Sequence, residues 1–500
     1  MHVYKQNRHY MITLGGQDSL MKGTGTNKEN LLKIAVVGGG FSGACLAGAL
    51  LSARDLRLSV VLIEREGGPG RGVAYGTRCG GHLLNVSAQN MSARADDPLH
   101  FQRWAKENYA ANVQAGDYVP RRVYGQYVES ILREADELNP GRFEWKRDEA
   151  ISIRQIAGNA EIYLRSGSRV VADKIVLALG NFPPADPKFP GRTESSPGYV
   201  SNPWAANALD GAEKEKAILL IGSGLTGVDV AIALRERGFE GKIHMLSRHG
   251  LLPQQHKPGE PWPAFWNNQS PRTARGILGL IRQQLCAAGQ QNRDWRSVID
   301  SLRPFASKIW SSLSLKEQRQ FLRHLRAYWD VHRHRVAPQI GEMLMTQMSE
   351  GQIETHAGRV TEYRETSDEV EVFYRDRHSG ELKKLSVNRV VNCTGPDSDV
   401  RRINDPLLKN LLHQNLVRPD SLSLGLDTAE DGALIDVRGR ASALLYTLGP
   451  LRKGNLWETT AVPEIRVQAF GLASKLLSGS YRSSKPSEIE SWDVNVPARA

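Results

Sequence analysis

The sequence predicts an α/β protein with two parallel-sheet units and a helical insertion in the second unit. Two stretches, residues 31–64 and 217–248, each run from an apolar strand through a Gly-rich loop into a helix and a further strand. This order predicts parallel strands, because the helix carries the chain back to the end of the sheet where the first strand began. Residues 277–350 show helical spacing with many basic residues, which predicts that helices interrupt the second unit.

The composition is that of an ordinary globular protein. Of the 500 residues, 40% are hydrophobic and 24% are charged, which suits two or three domains with cores of normal size. No apolar run reaches the roughly 18 residues of a transmembrane helix, and residues 1–30 lack the apolar stretch of a secretory signal. We therefore expect a cytoplasmic protein with no membrane partner.

The four cysteines, Cys45, Cys79, Cys286 and Cys393, are far apart in the sequence. None belongs to a C-x-x-C pair, and none has a histidine at zinc-site spacing. This pattern predicts reduced thiols in a cytoplasmic protein, no metal site, and no redox-active disulfide.

The first glycine loop, residues 38–43, predicts a Rossmann-like dinucleotide site, because a strand precedes it and a helix follows. Gly38 would permit the tight turn, Gly40 would let backbone N–H groups approach a pyrophosphate, and Gly43 would let the helix pack on the strand. Glu64 follows about 20 residues later, where an acid binds a ribose 2′-hydroxyl and repels a 2′-phosphate. The loop therefore favours FAD or NAD over NADP. The predicted contacts in the loop are Gly38, Gly40, Phe41, Ser42 and Gly43.

The second glycine loop, residues 222–227, has the same context. Its second strand ends in Ser247 and Arg248 instead of an acid, and a hydroxyl with a guanidinium suits the 2′-phosphate of NADPH. Asp229, just inside the following helix, is interpreted as a favourable charge for the helix dipole and not as a catalytic group. The predicted NADPH contacts are Gly222, Gly224, Leu225, Thr226, Gly227, Ser247 and Arg248.

Three further apolar strands end in glycine, at Gly180, Gly395 and Gly449. Such an end permits a close approach of the backbone to a ligand, although an ordinary turn explains any one of them equally well. Together with the two loops they form a set, and we predict that all three lie near FAD.

The order of these features resembles the two-dinucleotide-binding flavoprotein superfamily, which includes flavin-containing monooxygenases, N-hydroxylating monooxygenases and pyridine-nucleotide disulfide reductases. Four segments within residues 31–475 resemble more closely a bacterial family of FAD/NAD(P)-binding proteins that includes FAD-dependent urate hydroxylases. These segments are GRGVAY at 70–75, HLLNV at 82–86 with Met91, PRRVYG at 120–125, and WETTAVPEIR at 457–466.

The resemblance implies roles for matching residues. Arg71 and Tyr75 would lie along the FAD, and Asn85 and Met91 would lie beside the flavin ring, although Asn85 also suits an ordinary turn. Glu464 would open a helix that points at the pyrimidine edge of the flavin.

The linker between the two units departs from the superfamily pattern. Flavin-containing and Baeyer–Villiger monooxygenases carry an F-x-G-x-x-x-H fingerprint there, whereas this chain has Phe189 and Gly191 without the histidine. The chain is therefore not expected to be a standard member of either group. Asn202, in this linker, is a candidate for a polar role beside flavin and nicotinamide.

The resemblance also implies that Gly449 approaches the flavin.

One dense basic stretch lies in the predicted helical insertion. It contains Arg323, His324, Arg326, Trp329, His332, Arg333, His334 and Arg335. The stretch suits either a solvated surface or a cover that attracts NADPH phosphates or an anionic substrate. The net charge of +11 is otherwise spread along the chain, so we expect no nucleic-acid partner.

The predicted domain organisation is discontinuous. A flexible extension at 1–30 precedes the first part of the FAD-binding domain at 31–200. The NADPH-binding domain spans 205–380 with its helical insertion at 253–350. The FAD-binding domain returns at 381–478, and 479–500 form a disordered tail.

The predicted function is that of an FAD-dependent, NADPH-consuming oxidoreductase. A monooxygenase is favoured, which would use O2 to hydroxylate a small nitrogen-bearing substrate, urate-like or an amine. The alternatives are an NADPH-dependent flavin reductase or dehydrogenase without oxygenation, and a non-catalytic FAD/NAD(P)-binding redox sensor. Asn85 and Asn202 are the candidate catalytic residues.

Overall fold

The protein is described by a computed structural model. It describes residues 31–478 except 54–56, 157, 194–195 and 367–368. The predicted extension at 1–30 and the predicted tail at 479–500 lie outside the described residues. Among the described helices, none combines the length and the apolar character needed to span a membrane.

The described strands form two large sheets and one small one. In chain order they are β1 (Leu32–Val37), β2 (Leu58–Glu64), β3 (Phe143–Arg147), β4 (Ala150–Ile156), β5 (Asn159–Leu164), β6 (Arg169–Ala172), β7 (Lys174–Leu177), β8 (Tyr199–Val200), β9 (Ala217–Ile221), β10 (Lys242–Ser247), β11 (Ile353–Glu365), β12 (Val370–Asp376), β13 (Leu382–Val387), β14 (Arg389–Asn392), β15 (Ala433–Ile435) and β16 (Ala441–Thr447).

The described helices cover the sheets and build the insertion. They are α1 (Phe41–Ser52), α2 (Gly72–Tyr75), α3 (His100–Asn108), α4 (Arg121–Glu137), α5 (Leu225–Glu236), α6 (Ala274–Gln290), α7 (Trp295–Ser301), α8 (Ala306–Ser312), α9 (Leu315–His324), α10 (Arg326–Arg333), α11 (Pro338–Ser349), α12 (Pro406–His413), α13 (Lys453–Leu456) and α14 (Val462–Ser478).

The first sheet has the order β15-β16-β7-β1-β2-β3, and every neighbouring pair is parallel except β15 with β16. The two strands at one end of this sheet, β15 and β16, come from the end of the chain, so this unit is built from two distant segments. Both faces of this sheet are apolar and buried. Helices α1, α4 and α14 cover one face, and the other face packs against α12 and the antiparallel sheet of β4, β5 and β6.

The second sheet has the order β13-β12-β11-β10-β9-β14-β8. The prediction assigned residues from 381 onward to the first unit, and this boundary is wrong. Strands β13 and β14 lie in the second sheet, where β14 pairs in parallel with β9. The apolar pair Val390 and Val391 is fully buried there, so the chain returns to the first sheet only after residue 392.

Helices α6 to α11 lie between β10 and β11 and form the helical insertion that the sequence predicted. The two units also repeat one another. In each, a central strand (β1 or β9) is flanked by the next strand of its βαβ unit (β2 or β10) and by a later parallel strand (β7 or β14). Both glycine loops therefore lie at the carboxyl edge of their sheets, where open α/β sheets bind ligands.

Candidate dinucleotide-binding sites

Two glycines of the first loop are required by the protein itself. A Cβ on Gly38 would lie 2.3 Å from the carbonyl oxygen of Ala178, at the end of the adjacent strand β7. A Cβ on Gly43 would lie 1.9 Å from the carbonyl oxygen of Gly38, which lies beneath the start of α1. Both distances are below any tolerable contact. Gly38 and Gly43 thus allow strand, loop and helix to pack closely, as the spacing predicted.

Gly40 has no such explanation within the protein. Its backbone lies at φ −65° and ψ −172°, which any residue can adopt. A Cβ there would meet only the Cα of Gly72, at 3.7 Å, an ordinary van der Waals contact. The first loop therefore keeps a small space open at the N-terminus of α1, where unpaired backbone N–H groups attract an anion.

Glu64 lies at the end of β2, against this loop. Its carboxylate accepts hydrogen bonds from the backbone N–H of Gly39 at 2.7 Å and of Glu66 at 2.8 Å. A carboxylate has about four acceptor positions, so two remain for a ribose hydroxyl. The predicted position of Glu64 beside the first loop is thus observed, and its predicted role stays a prediction.

The three glycines of the second loop have the same roles as their counterparts in the first loop. A Cβ on Gly222 would lie 2.2 Å from the carbonyl oxygen of Cys393, and one on Gly227 would lie 2.4 Å from the carbonyl oxygen of Gly222. Gly224, with φ −79° and ψ −166°, would meet nothing within 4 Å. The glycine that each loop leaves unexplained is therefore the same one, the residue just before the helix.

Ser247 and Arg248 close the second strand of this unit. Ser247 stabilises the loop, because its Oγ accepts from the hydroxyl of Ser223 at 2.8 Å and from the N–H of Gly250 at 3.0 Å. These contacts favour a role of Ser247 in positioning the second loop over its predicted direct contact with a phosphate. Leu225 and Thr226 form the first residues of α5.

Arg248 belongs to a cluster that the sequence did not indicate. Arg359 lies on β11, the strand that pairs with β10. The backbone N–H of Arg377 donates to the carbonyl oxygen of Ala357, which is the β11 residue paired with Ser247. We call Arg248, Arg359 and Arg377 the arginine triad. All three side chains are exposed, and within the described residues their guanidinium groups have no ion pair or hydrogen bond.

Together with burial, the charge of the arginine triad lowers the pKa of a neighbouring histidine, His249. Burial, followed by the charges of Arg377, Arg248 and Arg359, lowers the pKa of His249. Three unpaired guanidinium groups around one side chain produce a strongly positive region at the carboxyl end of β10, suited to a phosphate.

The three glycines at strand ends divide between the two units. Gly180 follows β7 beside the first loop. Gly449 follows β16, where a Cβ would lie 2.7 Å from the hydroxyl of Ser42. Gly395, however, follows β14 beside the second loop, and its predicted place near FAD stays a prediction. It is the counterpart of Gly180, because β14 flanks β9 as β7 flanks β1.

Arg71 precedes the short helix α2 and Tyr75 ends it, in a segment that lies against the first glycine loop. The N–H of Gly70 donates to the carbonyl oxygen of Gly39 at 2.6 Å. The guanidinium of Arg71 is bound by both carboxylate oxygens of Glu129, at 2.6 and 2.9 Å, so it is less available to a ligand than predicted. The Tyr75 ring packs against Phe41, with ring centroids 6.1 Å apart.

Asn85 lies at a contact between the two units, and Met91 lies inside the first unit. Met91 is buried in the first core, whereas Asn85 is half-buried. The backbone carbonyl of Asn85 accepts a hydrogen bond from Nε2 of His256 at 3.0 Å. Burial, then the charge of Arg335, lowers the pKa of His256 to about 4, so this imidazole is neutral at pH 7. His256 is a polar neighbour of the predicted flavin region, and no sequence motif pointed to it.

Asn202 has a local role. Its Oδ1 accepts from the N–H of Trp204 at 3.1 Å, which stabilises the turn after β8. Within the described residues, no hydrogen bond or ion pair joins Asn202 to either glycine loop, and its catalytic role stays a prediction.

Glu464 lies in the first turn of α14, as the resemblance implied, but its carboxylate is already bound. Arg303 from the insertion donates to both oxygens, at 2.8 and 3.1 Å. Arg333 approaches Glu464 and Glu458 at 3.6 Å each. Helix α14 and the insertion are therefore held together by these ion pairs.

The basic stretch is only partly a solvated surface. Arg333 and Arg335 are 7% and 2% exposed, and Arg335 is paired with Asp300. Burial alone would raise the pKa of Glu458, but Arg333 and neighbouring groups outweigh it and lower that pKa. Arg333 therefore attaches the insertion to the first unit, whereas the pair of Arg335 with Asp300 lies within the insertion, and this burial favours the predicted cover over a purely solvated face.

Asp229 is the clearest correction to the interpretation of single residues. Its carboxylate is bound by Arg121 from α4 in a bidentate pair, with distances of 2.7 and 2.9 Å. His82 binds the carbonyl oxygen of Asp229 at 2.8 Å. Asp229 therefore joins the two units, and its proximity to the N-terminus of α5 is secondary.

The insertion encloses a cavity of about 280 Å³. Its lining is apolar and rich in aromatic rings, including Trp295, Trp310, Phe321, Trp329 and Trp457. Trp457 comes from the segment that precedes α14, so the cavity adjoins the first unit. Such a lining suits a hydrocarbon or aromatic group and not a charged one.

The four cysteines all lie in the described part of the chain, and none of them is in a disulfide bond. All four are free. Burial raises the pKa of the Cys45 thiol to about 12. Burial and the adjacent carboxylate of Glu236 raise that of Cys79 to about 12. The reactive form of cysteine is the thiolate, so these two thiols are unreactive at neutral pH.

Comparison with known proteins supports the fold independently. Residues 35–182 match a family model described as FAD-NAD(P)-binding, which covers the first loop and β7. No curated protein matches the chain. Among solved structures, the L-lysine 6-monooxygenase of Pseudomonas syringae has a TM-score of 0.62 at 17% identity, covering 89% of this chain and 99% of that chain.

Two further structures are similar. The ornithine N-hydroxylase of a Kutzneria species, solved with reduced FAD, NADP+ and L-ornithine, has a TM-score of 0.60 at 15% identity, with 89% of this chain and 99% of that one covered. The bacillithiol disulfide reductase of Staphylococcus aureus has a TM-score of 0.53 at 13% identity, with 90% and 98% covered. The predicted resemblance to the two-dinucleotide-binding flavoproteins is thus confirmed at the level of fold.

Proposed function

We propose that this chain is an NADPH-dependent FAD monooxygenase that hydroxylates a small amine. One observation carries the assignment of two nucleotide sites. In each loop the glycine before the helix, Gly40 or Gly224, has backbone angles open to any residue and room for a Cβ. A glycine that the protein does not need leaves space for a ligand, and a pyrophosphate fits a helix N-terminus.

The two sites differ in charge, which assigns the cofactors. Glu64 beside the first loop suits the ribose hydroxyls of FAD and disfavours a 2′-phosphate. The arginine triad beside the second loop suits the 2′-phosphate of NADPH. The family model supports FAD or NAD(P) for the first unit.

The chain's own groups would then bind, orient and exclude water. The loops would hold each pyrophosphate, and the Arg121–Asp229 pair would fix the distance between the two sites. The insertion, attached by Arg303 to Glu464, would cover the junction. FAD, when bound, supplies the acceptance of hydride and the activation of O2.

Thiol chemistry is the less favoured alternative, although a disulfide reductase shares the fold. The chain has no C-x-x-C pair, and the thiols of Cys45 and Cys79 have raised pKa values. For the substrate, the lysine and ornithine hydroxylases among the similar structures support an amine. Nothing in these comparisons supports urate as the substrate.

The experiment is a turnover screen of the purified protein reconstituted with FAD. NADPH oxidation, hydrogen peroxide and hydroxylated product would be measured with lysine, ornithine, cadaverine, arylamines and purines. A monooxygenase should give product in proportion to NADPH with little peroxide. NADPH oxidation without product for any substrate would favour the flavin reductase, and FAD binding without NADPH oxidation would favour the redox sensor.

The arginine triad gives a sharper test of the second site. Replacement of Arg248, Arg359 or Arg377 by Ala should raise KM for NADPH roughly 10-fold or more, because each would remove a charge-assisted hydrogen bond worth about 1.5–3 kcal/mol. KM for NADH, which lacks the 2′-phosphate, should change little. Steady-state kinetics with both nucleotides measures the difference.

Arg364→Ala is the matched control for the triad. Arg364 also lies on β11, but its guanidinium is paired with Glu362 at 2.6 Å. This variant should leave both KM values unchanged. Equal increases for NADPH and NADH in the triad variants would contradict the proposed phosphate role.

A further inference from the structure

We propose that His244, Glu354 and His356 form a binding site for a divalent transition-metal ion such as Zn²⁺, on the face shared by β10 and β11. The three side chains come from two strands more than 100 residues apart in the sequence. Their candidate ligand atoms all lie within 4.8 Å of one another. None of these three residues is assigned to a nucleotide site, and the proposal does not depend on the proposed function.

The strand register brings the three residues together. In the parallel pairing of β10 with β11, His244 lies opposite Glu354. His356 lies two residues further along β11, and residues two apart on a strand project from the same face. The regular sheet therefore holds all three side chains on one side, without support from a flexible loop.

The distances suit a small tetrahedral ion. Nδ1 of His244 lies 3.0 Å from Nε2 of His356 and 3.8 Å from Oε2 of Glu354. Tetrahedral zinc with bonds of about 2.0–2.1 Å requires ligand atoms roughly 3.3 Å apart. Two nitrogens and one oxygen at these separations would need only small side-chain adjustments.

A neighbouring hydroxyl supports the required tautomer. The Tyr374 hydroxyl lies 3.2 Å from Nδ1 of His356. If Nδ1 carries the proton and donates to Tyr374, Nε2 presents its lone pair toward the site. Histidine ligands of metals commonly have their second nitrogen fixed by such a hydrogen bond.

The position of Lys242 allows a bound metal ion to be distinguished from a metal-free arrangement of the same side chains. Its Nζ lies 2.7 Å from Oε2 of Glu354. Without a metal, a hydrogen bond between the two histidines and an ion pair between Lys242 and Glu354 would satisfy the same groups. A bound cation would instead compete with Lys242 for that carboxylate.

Sequence patterns did not predict this site, because they detect ligands at short spacings. His244 has no nearby histidine or cysteine on its own strand. Only the pairing of β10 with β11 creates the cluster, which revises the expectation of no metal site.

The test uses the full chain with Zn²⁺ in titration calorimetry and Co²⁺ in visible absorption, where tetrahedral coordination is directly recognisable. Loss of a residue that hydrogen-bonds a metal ligand typically weakens metal binding 10- to 100-fold, so Tyr374→Phe should weaken Zn²⁺ binding by about 10-fold and His356→Gln, which removes a ligand, by at least 100-fold. Lys242→Gln should strengthen binding roughly 2- to 5-fold, since an exposed ion pair that competes is worth about 0.2–1 kcal/mol.

His378→Gln is the matched control, because His378 is an exposed histidine of the same unit outside the cluster. It should bind Zn²⁺ like the unaltered chain. Glu354→Gln changes an exposed side chain, so it tests the site even if a histidine variant fails to fold. Unchanged Zn²⁺ affinity and stoichiometry in both Glu354→Gln and His356→Gln, or the absence of a tetrahedral Co²⁺ spectrum, would overturn the proposal.

Discussion

Gly40→Ala is expected to weaken FAD binding roughly 100-fold or more while leaving the protein folded. The new methyl group meets only the Cα of Gly72, at 3.7 Å, so the packing can accept it. It would, however, occupy the space that a pyrophosphate needs at the N-terminus of α1. Displacement would cost hydrogen bonds to a charged group, each worth about 1.5–3 kcal/mol. Titration with FAD, followed by absorbance, together with thermal unfolding of the apoprotein, measures both halves of this prediction.

Two further variants control for general damage. Gly43→Ala places a Cβ 1.9 Å from the carbonyl oxygen of Gly38, so it should lower the unfolding temperature of the apoprotein, which Gly40→Ala should not. Gly224→Ala makes the same change in the second loop, and it should preserve FAD binding while raising KM for NADPH. Normal FAD affinity in Gly40→Ala would show that the first loop does not hold the pyrophosphate.

Asp229→Ala is expected to lower the free energy of unfolding by about 3–5 kcal/mol, because it would leave the guanidinium of Arg121 unpaired in a buried position. The side chains of Arg121 and Asp229 are only 16% and 10% exposed, and the pair joins α4 to α5 across the two units. Urea denaturation of both proteins measures the loss. The variant should also impair electron transfer between bound nucleotides, because the pair fixes the relation of the two sites.

The exposed pair of Arg237 with Asp210 is the matched control. It lies just beyond the end of α5, with a distance of 2.9 Å and side chains 43% and 60% exposed. Asp210→Ala should therefore cost only about 0–1 kcal/mol. The double variant Arg121→Met/Asp229→Leu should recover part of the loss, because it leaves no buried charge without a partner. A loss in Asp229→Ala no larger than in Asp210→Ala would contradict the structural role of the pair.

Much of the fold and of each glycine loop could be predicted from the sequence. The strand, loop and helix of each unit are contiguous, and their residue types follow from local backbone geometry. Gly38 and Gly43 are needed because strand and helix meet within six residues, and Glu64 follows at the end of the next strand. Such short-range requirements leave a pattern in the sequence that can be recognised without the structure.

Tertiary structure alone decided which distant segments meet. Gly395 has the same local pattern as Gly180 and Gly449, yet the pairing of β14 with β9 places it beside the second glycine loop. Arg359 and Arg377 join Arg248 only through β11, and Asp229 finds Arg121 only across the two units. These contacts depend on sheet order and on packing between segments more than 100 residues apart, which no local pattern of residue types records.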